Sequence, residues 1–188
     1  MSDRKPGSKP YVRGGLLALV VLAAAASASA GGKGDAPPAS AFPEAQAFVN
    51  AHNAVRAGVQ KPVGYAGAWT PIPPVAWSDE VAITSQQWAE HLRDQMKCKL
   101  AHSDTRYGEN LAGGKDLNIA RAVNMWASEG KQYSYAPQYA FEIPTGHYTQ
   151  VVWRRTTHIG CGRASCGKKS VVVCRYSPPG NHIGKAPF

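Results

Sequence analysis

The sequence predicts an α+β fold in which helices cover an antiparallel sheet, because helical patterns come early in the chain and strand patterns come late. Two further observations indicate one small exported domain. The length of 188 residues favours a single domain with an extension. The four cysteines are an even number and all lie in the second half of the chain, which is typical of an exported protein with two disulfides.

Residues 1–30 are predicted to be a signal peptide. Four basic residues precede an apolar run from Leu16 to Ala26, and Ala28-Ser29-Ala30 fits the small-x-small rule of signal peptidase. The apolar run is shorter than the stretch of about 20 residues that a membrane-spanning helix needs. We therefore expect a secreted, extracellular protein, with an uncleaved anchor as the alternative.

Residues 31–42 are rich in Gly, Pro, Ala and Ser and predict a flexible linker, and residues 43–188 are expected to form the folded domain. Three helices are predicted there. The second begins at the N-cap residue Ser78 and ends near Lys97, and the third begins near Asn118. Their expected buried faces are Phe48, Val49, His52 and Val55 in the first helix, Val81, Trp88 and Leu92 in the second, and Ile119, Ala122, Val123 and Trp126 in the third.

The last part of the chain is predicted to be strands. Alternation of His147, Thr149, Val151 and Trp153 with Tyr148, Gln150 and Val152 indicates one strand. Residues 158–165 and 170–177 predict two more strands around a turn at 166–169. Residues 60–76 are predicted to be a loop, residues 99–115 a loop apart from a short segment around Glu109, and residues 133–145 an aromatic-rich loop.

The hairpin register allows the cysteine pairing to be partly derived and favours one set of disulfides. Cys161 and Cys166 would lie about 16 Å apart in an extended strand, at roughly 3.3 Å per residue. A disulfide needs Cα atoms within about 7 Å, so these two cannot pair. A turn centred between residues 167 and 168 places Cys161 opposite Cys174, which leaves Cys98 to pair with Cys166. No pair has CxxC spacing, so a structural zinc site made of cysteines is not expected.

The charge is basic, with a formal value of +9 for the whole chain. Residues 1–30 carry four basic residues and one acidic residue, so cleavage after them would leave +6. Such a surface suits a membrane surface or an acidic glycan. The basic residues look scattered along the sequence, and an exported protein is not expected to bind nucleic acid. We expect a monomer.

Several polar residues occupy positions that favour a functional role. Glu129 continues the apolar stripe of the third helix, so its carboxylate either reaches solvent at the helix end or points into a cleft. His147 begins a predicted strand, Glu109 follows a glycine in a loop, and His102 lies in a polar loop after Cys98. Each alone is also compatible with an ordinary hydrogen-bonded residue. His52 is compatible with a core histidine, and His91 and His158 are expected to be exposed without a role.

Four segments together resemble a known family. Residues 146–156, GHYTQVVWRRT, and residues 172–181, VVCRYSPPGN, resemble the two signatures of the CAP superfamily, which groups cysteine-rich secretory proteins, antigen 5 and pathogenesis-related proteins. His52-Asn53-Ala54-Val55-Arg56 resembles its first-helix motif and Gly108-Glu109-Asn110-Leu111 its fourth. The order is that of the family, and the plant pathogenesis-related proteins of the first class are the most similar.

The resemblance implies a three-layer α-β-α sandwich with a central antiparallel sheet. It also implies a cleft with two histidines and two acidic residues, which by position are His102, Glu109, Glu129 and His147. In many members this tetrad binds zinc or another divalent cation. Imidazole and carboxylate groups suit zinc, and the alternative is a polar network that only stiffens the cleft.

The resemblance further implies a lipid site and a tail. In sterol-binding members an aromatic loop contacts the lipid, and the residues in that region are Tyr133, Tyr135, Tyr139 and Phe141; a packed loop is the alternative. Plant members carry a further cysteine where this chain has Thr145. The end of the chain, residues 178–188, resembles a peptide that plant members release, and a tail packed on the domain is the alternative.

Three functions are compatible with the sequence. The first is non-enzymatic binding of a sterol, fatty acid or other lipid, with a divalent-cation site, in defence or antagonism. The second is a metal-dependent hydrolase with Glu109 or Glu129 as general base, which the absence of HExxH and G-x-S-x-G motifs disfavours. The third is a glycan or protein interaction module in which the tetrad is structural. We expect binding rather than catalysis.

Overall fold

The computed structural model describes residues 42–136 and 143–188, all of which belong to one compact unit, Pro37–Phe188. The predicted signal peptide and nearly all of the predicted linker lie outside the described residues. The helices are α1 (Ala45–Ala57), α2 (Asp79–Asp94), α3 (Ile119–Ser128) and α4 (Gly146–Val151). The strands are β1 (Ala76–Trp77), β2 (Gly108–Lys115), β3 (His158–Cys166) and β4 (Lys169–Ser177).

The four strands form one sheet in the order β1-β3-β4-β2. The pairs β3–β4 and β4–β2 are antiparallel, as predicted, and the two-residue β1 adds a parallel edge beside β3. Side chains of β4 alternate between two cores. Val172, Cys174 and Tyr176 pack beneath α1, α3 and α4, whereas Val171 and Val173 pack beneath α2. Helices therefore cover both faces, which confirms the α-β-α sandwich.

Local signals account for the three long helices. Ser78 accepts a hydrogen bond from the amide of Val81 and starts α2, and Asn118 accepts one from the amide of Arg121 and starts α3. On α1, the buried residues are Phe48, His52 and Arg56, which recur every fourth position. His52 is a core histidine, as the sequence indicated, and His91 and His158 are exposed.

The predicted strand at His147 is wrong, because Gly146–Val151 forms helix α4. The buried positions Gly146, Thr149 and Gln150 follow a helical spacing rather than alternation. The hydroxyl of Thr149 lies 3.1 and 3.2 Å from the carbonyls of Thr145 and Gly146 and 2.7 Å from Oδ1 of Asn181, so its one hydrogen has acceptors both within the helix and on the segment after β4.

The loop predicted over 99–115, from which only a short segment around Glu109 was excepted, is wrong in its second half, because β2 extends over Gly108–Lys115 and pairs with β4 over its whole length. Its sequence, GENLAGGK, contains three glycines and no β-branched residue, so its local preference for a strand is weak. Pairing with β4 overrides that preference. Glu109 and Asn110 consequently lie on a strand, and this fixes their positions relative to β4.

Both disulfides have the predicted pairing. Cys161 faces Cys174 across the β3–β4 hairpin and is bonded to it. Cys98, just after α2, is bonded to Cys166 at the end of β3, so all four cysteines are paired. No helix within residues 42–136 or 143–188 is long and apolar enough to cross a membrane.

Candidate functional site: a cleft with two histidine–carboxylate pairs

A cleft of about 280 Å³ opens where the start of β2, helix α4 and the segment after β4 meet. Its walls contain three of the four residues of the predicted tetrad, and the fourth, Glu129, lies behind His147. The lining residues are His102, Gly108, Glu109, Asn110, Gly146, His147, Gln150, Gly180 and Asn181.

The first pair joins His102 to Glu109, with Nδ1 2.9 Å from Oε1. Glu109 also accepts hydrogen bonds from the amide and hydroxyl of Ser103, at 3.0 and 2.6 Å, and from Nε of Arg175 at 3.1 Å. The carboxylate is 4% exposed, whereas the His102 side chain is 64% exposed. Glu109 is therefore a buried anchor that holds an accessible imidazole at the mouth of the cleft.

These contacts shift both groups in the direction that keeps them charged. Burial alone would raise the pKa of Glu109, but the donors His102, Ser103 and Arg175 together hold that pKa below its usual value. The hydrogen bond to Glu109 raises the pKa of His102 against the opposing effect of partial burial. The carboxylate is consequently ionised over the whole neutral range.

The second pair joins His147 to Glu129, with Nδ1 2.6 Å from Oε1. The other oxygen of Glu129 accepts hydrogen bonds from the amides of His147 and Tyr148, at 2.9 and 3.2 Å. Glu129 directly follows α3, so the end of one helix supplies an anion to the free amides at the start of α4. The same carboxylate thus places the helix and orients its histidine.

A buried chain of hydrogen bonds supports His147 from below. The amide nitrogen of Asn110 donates to the backbone carbonyl of His147 at 3.0 Å and to the hydroxyl of Tyr176 at 3.1 Å. Tyr176 lies 2.9 Å from Nε2 of His52, whose Nδ1 lies 2.8 Å from the carbonyl of Phe48. Since a carbonyl can only accept, Nδ1 of His52 carries the hydrogen and Tyr176 donates to Nε2.

Arg56 secures the other end of α4. Its guanidinium donates to the carbonyls of Val151 and Trp153, both at 2.9 Å, and to those of Pro73 and Thr156. Burial lowers the pKa of Arg56 to about 10, so it stays charged at neutral pH. His52 and Arg56 lie one turn apart on α1, so both residues of the segment that resembles the first-helix motif are buried on the same helix face.

The segment after β4 forms the remaining wall. Gly180 donates its amide to Oε1 of Gln150 at 2.9 Å, and Asn181 bonds the carbonyl of Gly146 and the hydroxyl of Thr149. Asn181 has a positive φ of 58°, a conformation in which asparagine is tolerated. At its far end, Pro187 accepts a hydrogen bond from the amide of Arg154. The tail residues 178–188 therefore pack on the domain.

The structure thus brings the predicted tetrad together as two pairs and not as one cluster of four ligands. Within the described parts of the chain, no three His, Cys, Asp or Glu side chains converge closely enough to form a metal-ligand set. Both carboxylates are already engaged by donors. In the neutral form of each ring, Nδ1 donates to its carboxylate, so Nε2 keeps the lone pair that a metal requires.

The donor chemistry still fits a divalent cation. Metal-binding histidines commonly donate their other ring N–H to a carboxylate, which fixes the tautomer and the ring orientation. His102 and His147 both have that arrangement and both line the same cleft. These two imidazoles would hold the ion, with water completing the coordination, while Glu109 and Glu129 orient the rings.

A second groove, of about 520 Å³, lies beside the end of α1. Tyr133, Tyr135, Tyr148 and Phe188 contribute aromatic rings to its wall. Tyr135 and Phe188 are stacked with ring centroids 6.2 Å apart. Two of the four predicted lipid-contacting residues therefore line an open groove, and the other two, Tyr139 and Phe141, lie outside the described residues.

Several residues of the cleft were not predicted from the sequence. Ser103 and Arg175, which hold Glu109, and Asn110, Gln150 and Asn181, which line the cleft or support it, received no role. Most of them belong to the four family segments, so those segments were the available signal. Ser103 directly follows His102, and its role depends on strand β2, of which only a short segment around Glu109 was excepted from the predicted loop.

Comparison with known proteins agrees with this architecture. The family model described as "CAP: Cysteine-rich secretory protein family" matches residues 49–176. Pathogenesis-related protein 1C of Nicotiana tabacum is 40% identical over 147 residues, which cover 76% of this chain and 80% of that protein. Pathogenesis-related protein 1A1 of Solanum lycopersicum is 42% identical over 139 residues, 72% of each protein.

Among solved structures, one described as NaASP2 with Zn²⁺ superimposes with a TM-score of 0.60 at 28% identity. The match covers 77% of this chain and 85% of that chain. Sequence and structure comparisons therefore point to the same family.

Proposed function

The chain belongs to the CAP family of cysteine-rich secretory proteins, and on that premise we propose that it is an exported, non-enzymatic binding protein with two ligand sites. A divalent cation binds between His102 and His147 in the cleft. A sterol or another lipid binds along the aromatic groove. Similarity to pathogenesis-related proteins suggests a role in defence or antagonism.

The cation site rests on one observation: two histidines of the same cleft each have Nδ1 held by a carboxylate. This arrangement leaves both Nε2 atoms as ligands and adds negative charge behind them. The relative described with Zn²⁺ supports zinc as the ion to test first.

Zinc titration by calorimetry tests the cation site. The unaltered protein should bind one zinc ion, and the double variant His102→Ala/His147→Ala should bind none. The matched control replaces two exposed histidines away from the cleft, His91→Ala/His158→Ala, and should bind zinc normally. Equal affinity of all three proteins would overturn the proposed site.

The lipid site rests on the aromatic rings in the wall of the groove. Rings of Tyr133, Tyr135 and Phe188 offer flat apolar faces that suit a rigid ring system. Val63, on the same groove, is 97% exposed, so part of the wall is an apolar surface that water contacts freely. Covering such a surface with a lipid is favourable.

Quenching of a fluorescent sterol tests the lipid site. Tyr135→Ala should weaken binding by about tenfold, since removal of a well-placed ring costs on the order of 1 to 2 kcal/mol. Tyr107→Ala, which changes a tyrosine outside the groove, should leave binding unchanged. Equal sterol binding by Tyr135→Ala and Tyr107→Ala would exclude the groove as the lipid site. Thermal unfolding of each variant checks that the fold is intact.

Catalysis is not favoured by the surroundings of Ser103. Its hydroxyl donates to Glu109 and accepts from Arg175, so its proton is directed to a carboxylate and not to a histidine ring. Glu109 in turn is occupied by four donors, which leaves it unsuited to take a proton from water. These contacts support a binding function for the cleft.

A further inference from the structure

The fold gathers basic residues that look scattered in the sequence. Three separate segments meet at the end of the sheet where β2 finishes and the β3–β4 hairpin turns. Together they carry six exposed basic side chains, which we name the basic end: Lys97, Lys99, Lys115, Arg121, Lys168 and Lys169.

Specific contacts bring these segments together. Lys115 is paired directly with Lys169 across the β2–β4 ladder. The amide of Asp116 donates to the carbonyl of Lys168, and the Arg121 guanidinium donates to the carbonyl of Lys115 at 3.1 Å. The disulfide Cys98–Cys166 places Lys97 and Lys99 beside the same turn.

Within the described residues, the six side chains of the basic end have no ion-pair partners to neutralise them. Asp116 is the acidic residue that lies among them, and the nearby Asp94 is paired with Arg93. Like charges directly opposite each other, such as Lys115 and Lys169, destabilise a sheet. A ligand that brings negative charge would relieve this repulsion.

The strand and turn lysines of the basic end are remote from the cleft, whereas Lys99 lies three residues before the cleft residue His102. Glu109 lies near the first residue of the β2–β4 ladder and Lys115 at its last residue. At roughly 3.4 Å per residue, these two positions are about 20 Å apart. Screening limits interaction between exposed charges to about 8 Å at physiological salt, so Lys115 and its strand partner Lys169 do not act on the cleft electrostatically.

We propose that the basic end binds an acidic polysaccharide, carboxylated or sulfated. The basic side chains lie on strand ends, on a turn, after α2 and in the first turn of α3, outside the linings of the cleft and the aromatic groove, so they suit an extended polymer rather than a small anion.

The apolar residues of the surface favour a soluble polyanion over a membrane. The two most exposed large apolar side chains, Val63 and Ile183, belong to other segments. Leu100, which follows Lys99, is 42% exposed but lies against Gly113 of β2. Without a protruding apolar side chain to insert, the basic end is poorly suited to a lipid surface.

Affinity measurements with heparin and polygalacturonate test this proposal. The variant Lys115→Gln/Lys168→Gln/Lys169→Gln should lose about tenfold or more in affinity, because three charged contacts to the polymer disappear together. Binding should also weaken steeply as salt is raised.

A matched variant removes the same number of charges elsewhere. Lys61→Gln/Arg155→Gln/Lys185→Gln lowers the net charge equally but leaves the basic end intact, and it should lose less than about threefold. Equal losses in the two variants would show that only net charge matters and would overturn the proposal. The proposal would also be overturned, in favour of a membrane, if the protein bound phosphatidylserine vesicles more strongly than either polymer and the variant that includes Lys115→Gln lost that binding.

Discussion

Arg175 donates from Nε to Oε2 of Glu109 over 3.1 Å, and the two side chains are only 8% and 4% exposed. Loss of one partner of a buried ion pair is strongly destabilising, because the remaining charge stays buried without an opposite charge beside it. Glu109 also holds His102, so damage to this pair should reach the cleft.

Arg175→Leu should lower the free energy of unfolding by about 3 kcal/mol or more. The control is Arg163→Leu, which breaks a pair with Glu44 whose side chains are 35% and 41% exposed and should cost about 1 kcal/mol or less. Urea denaturation of both variants gives the comparison. Similar losses would mean that the Arg175 pair is no more important than an exposed one.

His52 should make the protein sensitive to acid. Burial lowers its pKa to about 4, whereas the unfolded chain should have the ordinary value near 6.5. Between these values the unfolded state binds a proton that the folded state excludes, so stability falls as the pH falls. A shift of this size corresponds to about 3 kcal/mol, lost between pH 6.5 and pH 4.

Denaturation at several pH values measures this loss, and NMR titration of the His52 ring locates its source. The ring should remain neutral until the pH approaches 4. In His52→Gln the part of the slope due to this residue should vanish, while the acid loss from carboxylates such as Glu109 remains at lower pH. A ring that titrates near pH 6.5 in the folded protein would contradict the expectation.

The elements that could be predicted are those that local sequence determines. The capping residues Ser78 and Asn118 and the hairpin register that pairs Cys161 with Cys174 are signals within a few residues of their effect. The predictions for helix α4 and strand β2 were wrong because residues distant in the sequence stabilise both elements. Glu129 and Arg56 bind the two ends of α4, and β4 supplies the partner of β2.

The candidate site shows the same division. Family segments indicated which four residues meet, but not that Glu109 and Glu129 hold ring nitrogens rather than face the cleft as ligands. Such roles depend on hydrogen bonds between residues 7 and 18 positions apart, which no sequence pattern encodes. The basic end could not be predicted for the same reason, because its residues come from three separate segments.

Glu129→Gln should separate an orienting role from a ligand role. Glutamine can still accept from the amides at the start of α4, but it no longer places a negative charge behind His147. Loss of such an outer partner typically weakens metal binding by about 10- to 100-fold. His147→Ala, which removes a proposed ligand, should weaken it further.

Competition with a zinc-binding dye measures the zinc affinity of both variants. Glu80→Gln is the control, because that carboxylate is exposed and pairs with Arg106 rather than His147. If Glu129 coordinates the ion directly, its replacement should be as damaging as His147→Ala. An effect no larger than that of Glu80→Gln would show that the second pair has no part in cation binding.

Gly160 tests the contact between the sheet and α2. A Cβ atom at this position would overlap the backbone of Val81 and Ala82, and the carbonyl of Gly160 accepts a hydrogen bond from Ser85 at 2.7 Å. The helix backbone therefore rests directly on the strand, and a methyl group cannot be accommodated by turning a side chain. Gly160→Ala should destabilise the protein by about 3 kcal/mol, the upper part of the usual range for overpacking.

Gly114→Ala provides the comparison, because it adds the same methyl group to the same sheet where nothing lies within 4 Å of the new atom. Its effect should be close to zero or slightly stabilising, since alanine has less conformational freedom to lose than glycine. Thermal unfolding of the two variants should differ clearly. If Gly160→Ala is tolerated as well as Gly114→Ala, α2 does not lie as close to β3 as the three-layer packing requires.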